Sequence, residues 1–176
     1  SAGADLKEGL PEFHRVEDMI NSRYRPSLEL ISSMDKPVIA AVAGPAAGIG
    51  MSFALCCDLV VMAESAFLLA PFSTIGLIPD GGATWFLARR LGYHRAYQLC
   101  VEAERIPAAV CLETGLANRV VADTELLEQA VGWAESLAQR APLALAGTKQ
   151  AMRQAMNLSL GETIALEARI QTSRAR

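Results

Sequence analysis

Apolar residues recur along this chain with two spacings, and the change from one to the other divides it. Between Lys36 and Gly82 they come in short blocks, VIAAVA, FALCC, LVVMA and FLLA, separated by Gly, Pro and Asp. Pro37 to Ala43 is rich in β-branched residues, which predicts a strand buried on both faces. Gly44, Pro45, Gly48 and Gly50 then break the run, and Met51 to Cys57 predicts a short apolar helix. Leu59 to Ala63 and Phe67 to Ala70 predict two further strands before Pro71, Gly76, Pro79 and the Gly81-Gly82 pair break the chain again. Each glycine-rich break ends at a helix start, where unpaired N–H groups and the positive end of the helix dipole can stabilise negative charge.

Elsewhere the spacing is helical. Ser1 to Glu8 predicts a turn entering a helix with Asp5 as its cap, and Pro11 to Met34 a long helix bent near Pro26. Downstream, helices are predicted over Ala83 to Leu91, closed by Gly92, over His94 to Ala103, and over Pro107 to Thr114. Arg119 to Ala122 predicts a short edge strand. Asp123 then caps an amphipathic helix with Leu126, Leu127, Ala130, Val131, Ala134, Leu137 and Ala138 at helical spacing. Pro142 opens the next helix, to about Met156, and Gly161 precedes a last one through Ile170. The pattern gives an α/β part over 1–122 followed by a helical region over 123–176, with no internal repeat or low-complexity segment.

Composition narrows the functional classes. In 176 residues, 52% hydrophobic, there is apolar material for one domain with a substantial core. A net charge of −3 gives no basic excess for nucleic acid or an anionic membrane. Residues 37–57 carry no charge and are long enough to cross a bilayer, but four Gly and Pro breaks in mid-span favour a strand-turn-helix. Cys56, Cys57, Cys100 and Cys111 form no CxxC pair, and with only His14 and His94 there is no zinc pattern. They read as reduced thiols of a cytoplasmic protein. The opening residues SAGAD lack a signal-peptide pattern and an initiating Met, so a preceding portion is expected to be missing.

Three chemistries fit the first glycine turn. Gly48-Ile49-Gly50 approximates a dinucleotide fingerprint, but Phe53 stands where close packing needs a third glycine. Gly50-Met51-Ser52-Phe53-Ala54 approximates a nucleophile elbow, but the sole following histidine, His94, lies on a predicted helix near in sequence. The third uses backbone N–H groups as an oxyanion hole for an enolate-like intermediate.

Four segments carry a resemblance: SAGADL, KPVIAAVAGPAAGIGMSFALCCDLV, IGLIPDGGATWFLARRLG and ETGLANRVV. In this order they resemble the successive motifs of the crotonase, or enoyl-CoA hydratase/isomerase, superfamily, and the resemblance covers essentially the whole chain. It implies a crotonase-like spiral of ββα units, an acyl-CoA thioester substrate, no metal or redox cofactor, and homotrimers often paired into hexamers through the helical region. Carried over, the oxyanion-hole donors are the backbone N–H groups of Ala2 and Ile49. Hydratases of the family carry glutamates at the positions of Ser52 and Phe72, so water addition loses its acid-base pair here. Asp80 in IPDGG stands where 1,2-epoxyphenylacetyl-CoA isomerase and dienoyl-CoA isomerase types keep an aspartate. The resemblance therefore implies a CoA-thioester isomerase, of fatty-acid or phenylacetate metabolism, with Ser52, Phe72, Ile75 and Trp85 lining the substrate pocket. A pseudoenzyme that binds acyl-CoA without efficient turnover is the alternative.

Asp80 has a second reading from local sequence. Pro-Asp-Gly is a common turn, and an aspartate just before Ala83 can cap that helix. The proton-transfer reading expects Phe72, Ile75, Leu77, Ile78 and Trp85 to desolvate the carboxylate and raise its pKa. Asp5 and Asp58 read as caps or turn acceptors, Arg89-Arg90 as a solvated helix face, and Lys149 as able to approach a CoA phosphate.

Overall fold

The structure, a computed structural model, describes residues 1–5 and 15–174. The expected helix start after Asp5, together with Phe13 and His14, lies outside the described residues. α1 (Val16–Met19) and α2 (Arg25–Ser33) are joined by a π-helical turn over Ile20–Tyr24, in which Arg25 N–H donates to Ile20 O. Pro26 explains this turn: it has no N–H for Ser22 O, and its ring crowds that carbonyl, so the helix widens just before it.

Two ββα steps follow. β1 (Ile39–Val42), β2 (Pro45–Ala47) and α3 (Ile49–Cys56) form the first; β3 (Leu59–Ala63), β4 (Phe67–Leu69), a 3₁₀ turn over Pro71–Ile75 and α4 (Ala83–Leu91) form the second. The strands of each step go to different sheets. One sheet is parallel with order β1-β3-β6, where β6 is Arg119–Val121; the other has order β2-β4-β5, where β5 is Ile106–Pro107. Ile39 pairs with Leu59, and Pro45 with Phe67, so the chain repeats its course after about twenty residues without repeating its sequence. α5 (Tyr93–Val101) and α6 (Ala108–Glu113) connect the second step to the last strands.

The core lies between the sheets and these helices. Met51, Leu55, Val61, Met62, Leu68, Leu87, Leu99, Ile106, Cys111 and Leu116 are fully buried in it. β1 corrects one expectation: among the described residues it is a sheet edge with Ala41 exposed, not a strand buried on both faces. β2 corrects another, because Pro45–Ala47 pairs as a strand inside what the sequence presents as a turn.

α7 (Leu126–Ala138) packs on β1 and β3, and α8 (Pro142–Ala155) packs on α9 (Leu160–Arg174). Asp123 does not cap α7. Its carboxylate accepts from Ser65 N and Ser65 Oγ, tying the chain after β6 to the turn after β3. Nor is Lys149 free for a phosphate. Its ammonium, almost wholly buried on α8, lies 2.7 Å from the Asp58 carboxylate and donates to Ile31 O and Lys36 O. Arg153 shares Asp58 at 3.0 Å and donates to Cys56 O and Ser32 Oγ, while Asp58 accepts from Val38 N. This buried network fastens α8 to α2, α3 and β1. Among the described residues no helix is long and apolar enough to cross a membrane.

Candidate active site

The first glycine turn is a junction of three segments. Ser1 N donates to Pro45 O and Ala47 N donates to Ser1 O, so the opening residues run alongside β2. Gly48 N donates to Leu69 O, which ends the β2–β4 ladder, and Gly48 turns the chain into α3 with φ +56°, a left-handed value that favours glycine. Met51 and Ser52 N–H both reach Gly48 O, so Ile49 and Gly50 N–H have no intrahelical acceptor. Ala2 N–H likewise donates to no acceptor among the described residues, beside Gly3, whose Cα lies close to Gly48. The Phe72 ring closes the same place from the 3₁₀ turn, buried, with its Cζ 3.8 Å from where a Gly48 Cβ would stand.

Asp80 lies against the second turn of α3. Ser52 Oγ donates to Asp80 O at 2.9 Å, and Ala83 N donates to the same carbonyl at 3.0 Å. The helix-capping role therefore belongs to the Asp80 backbone; the N-cap of α4 is Gly82, with no side-chain bond. The carboxylate oxygen Oδ1 is buried and has no hydrogen-bond partner. Burial raises the Asp80 pKa from its ordinary value, opposed in part by a bond from its own backbone N–H. Gly81 follows at φ +58°, and a Cβ there would overlap Ile49 Cδ1 and come within 3.0 Å of Ser52 Cβ.

The structure thus brings Ala2, Ile49, Ser52, Phe72 and Asp80 to one place. Ser52 stands there fully buried beneath the turn, its hydroxyl occupied by Asp80 O. Ile75 and Trp85 lie on the outside, 47% and 38% exposed, and Leu77 and Ile78 are 48% and 81% exposed. Of the expected apolar shell only Phe72 is buried at the site; the other four members face outward, and the Asp80 turn is covered instead where it packs on α3. Trp85 lies under the Arg89 guanidinium, 4.3 Å from the ring centre, in a groove with Leu28, Cys56 and Arg153. Arg89 also donates to Asn157, and Arg90 to Leu55 O.

Other chemistries lose their geometry. Ser52 Oγ has no imidazole partner, and His94 stacks edge-on against Tyr93 on α5, so no nucleophile elbow is assembled. Burial pushes the Cys57 thiol up to about 11 and Cys111 to about 12, away from thiolate chemistry. Sequence reasoning marks Gly81 only as part of a chain break and misses both its close approach to α3 and the Ser52-to-Asp80 bond. The adjacent glycines after Asp80 were the available signal for a close approach; nothing local marks the hydroxyl's partner 28 residues away.

Paired ββα steps winding between two sheets, with helix-start N–H groups lacking intrahelical acceptors and a half-buried Asp80 on a turn packed against the same helix, define a crotonase-fold protein. Residues 1–176 match the family described as Enoyl-CoA hydratase/isomerase, and the chain belongs to that family. It is 38% identical over 170 residues to a probable enoyl-CoA hydratase of Rhodobacter capsulatus, covering 97% of this chain and 66% of that protein. It is also 38% identical over 144 residues to the 1,2-epoxyphenylacetyl-CoA isomerase of Escherichia coli K12, covering 82% of this chain and 55% of that one. The crystal structure of an enoyl-CoA hydratase from Bacillus anthracis superposes with a TM-score of 0.92 at 33% identity, covering 99% of this chain and 67% of that one. The chain spans about two thirds of the length of the curated relatives it matches from end to end.

Proposed function

We propose that the protein isomerises an acyl-CoA thioester, with Asp80 moving the proton and the backbone N–H groups of Ala2 and Ile49 holding the thioester oxygen. Removing a proton α to a thioester places negative charge on that oxygen. Two aimed N–H donors in a dry site can each stabilise it by about 3 to 4 kcal/mol. One carboxylate then serves twice, accepting the proton at one carbon and returning it at another. The observation that carries this reading is the buried Asp80 Oδ1, which has no partner and lies on a turn packed against the start of α3. An unpaired buried carboxylate oxygen is costly to fold around, and such groups concentrate where chemistry needs them.

The relatives named as hydratases favour a second reading, hydration of a 2-enoyl-CoA. Against it stand Ser52, whose hydroxyl is bound to Asp80 O, and Phe72, which offers no proton. One experiment separates these readings from acyl-CoA binding without turnover. Purified protein is given 3-hexenoyl-CoA and 2-hexenoyl-CoA, and the double-bond isomers and 3-hydroxyacyl-CoA are quantified. Isomerisation is expected to dominate, and Asp80→Asn to lower its turnover about 10²- to 10⁴-fold while binding persists. Abundant 3-hydroxyhexanoyl-CoA, or wild-type isomerisation by Asp80→Asn, would overturn the assignment.

A further inference from the structure

We propose that Ser52 is a positioning residue, whose hydroxyl holds Asp80 in register with the N-terminal N–H groups of α3. This rests on the proposed role of Asp80. Ser52 is fully buried, and among the described residues it is the polar residue in the core. Its hydroxyl is not needed by its own helix, where Ser52 N–H bonds to Gly48 O and Met51 N–H supports the same turn. Nor is it needed to satisfy its acceptor, because Asp80 O keeps the Ala83 N–H bond. Alanine is the better helix former and leaves no hydroxyl to desolvate, so local stability gives little reason for serine here.

What the hydroxyl supplies is a fixed distance. Ser52 lies three residues after Ile49, just under one helical turn and about 4.5 Å along the axis. The bond from Ser52 to Asp80 O therefore clamps the residue bearing the carboxylate to the same rigid turn that presents Ile49 N–H. Gly81 reinforces the clamp, since its bare Cα lets the turn rest on Ile49 Cδ1 and the Ser52 side chain. A base and an oxyanion donor held on one short rigid unit keep the geometry that proton transfer requires, and displacement by about 1 Å can cost about 10²-fold in rate.

The test uses the full chain with 3-hexenoyl-CoA and compares Ser52→Ala, Asp80→Asn and the double variant. Ser52→Ala is expected to lower kcat about 10- to 100-fold with KM within about twofold. It is also expected to move the acid limb of the kcat/KM profile to lower pH, as a loosened turn rehydrates the carboxylate. In the Asp80→Asn background the same change is expected to cost almost nothing more, because the group being positioned is gone. Ser52→Cys, slightly larger and with a weaker donor, tests the same direction should the alanine variant not fold. An unchanged kcat and pH profile in a folded Ser52 variant, while Asp80→Asn is inactive, overturns the positioning role and leaves Asp80 in place. An equal loss in both backgrounds also overturns it. Wild-type turnover by Asp80→Asn, or none by the wild type, removes the Asp80 reading and this one with it.

Discussion

Replacing Gly81 by alanine probes the contact between the Asp80 turn and α3 directly. At φ +58° an alanine carries a left-handed penalty of about 1 kcal/mol. Its Cβ would also overlap Ile49 Cδ1 and stand 3.0 Å and 3.1 Å from Ser52 Cβ and Oγ. Overpacking a filled site costs about 1 to 3 kcal/mol more, toward the lower end because Ile49 Cδ1 is the far end of a flexible chain. The sum, about 2 to 4 kcal/mol, is a large part of a typical stability of about 5 to 15 kcal/mol. Gly76→Ala is the control, since Gly76 has φ +74° but nothing within 4 Å of an added Cβ, leaving only the backbone penalty. Urea unfolding at fixed protein concentration, compared at constant m, should give Gly81→Ala an excess of about 1 to 3 kcal/mol over Gly76→Ala. Turnover should fall in Gly81→Ala alone. Equal destabilisation by the two variants would refute the close contact and the rigid unit built on it.

Stability should also respond to the Asp80 carboxyl. Its folded pKa is raised by burial, so the folded chain holds that proton more tightly; the stabilisation is full below the unfolded value, about 3.9, and is lost as pH rises through the folded value. Asp80→Asn should therefore melt above the wild type at pH 7, with the gap closing on acidification; an Asn variant that melts lower at pH 7 would contradict this. Asp58→Ala strips the partner from buried Lys149 and from Arg153 and should cost about 3 to 5 kcal/mol in urea unfolding, and a loss under 1 kcal/mol would mean the network is solvated. The outward stripe of Leu127 and Val131 on α7, 72% and 48% exposed, should mediate a homotrimer or hexamer. Light scattering should show self-association that Val131→Asp weakens, and a wild-type monomer would refute it.

Elements bracketed by their own chemistry were legible in the sequence. α4 ends between Gly82 and Gly92, both with positive φ, and β3 is an unbroken apolar run from Leu59 to Ala63. Residues whose partners are distant were not. Asp123 has the look of a local cap, yet its carboxylate holds Ser65, 58 residues earlier. Lys149 has the look of a surface cation, yet Asp58 and two carbonyls more than a hundred residues away enclose it. β2 was hidden because Pro45-Ala46-Ala47 has turn composition and becomes a strand only when β4 pairs with it. The site divides the same way. Its backbone turn and Asp80 stand out as motif residues and Phe72 is buried beside them, whereas Ile75, Leu77, Ile78 and Trp85 turned outward and the clamp came from α3.

Backbone donors have a consequence for how such a protein can vary. The Ile49 N–H proposed to hold the thioester oxygen is common to nineteen of the twenty encoded residues, so side-chain exchange at that position can alter the contact with the Gly81 turn while leaving the N–H in place. An alanine scan would pass over it without effect on the hydrogen bond. Proline alone lacks the group. Ile49 is the first residue of α3, the position where a helix accepts proline with least disturbance. The one substitution that silences the donor is thus also one that the helix start is built to tolerate.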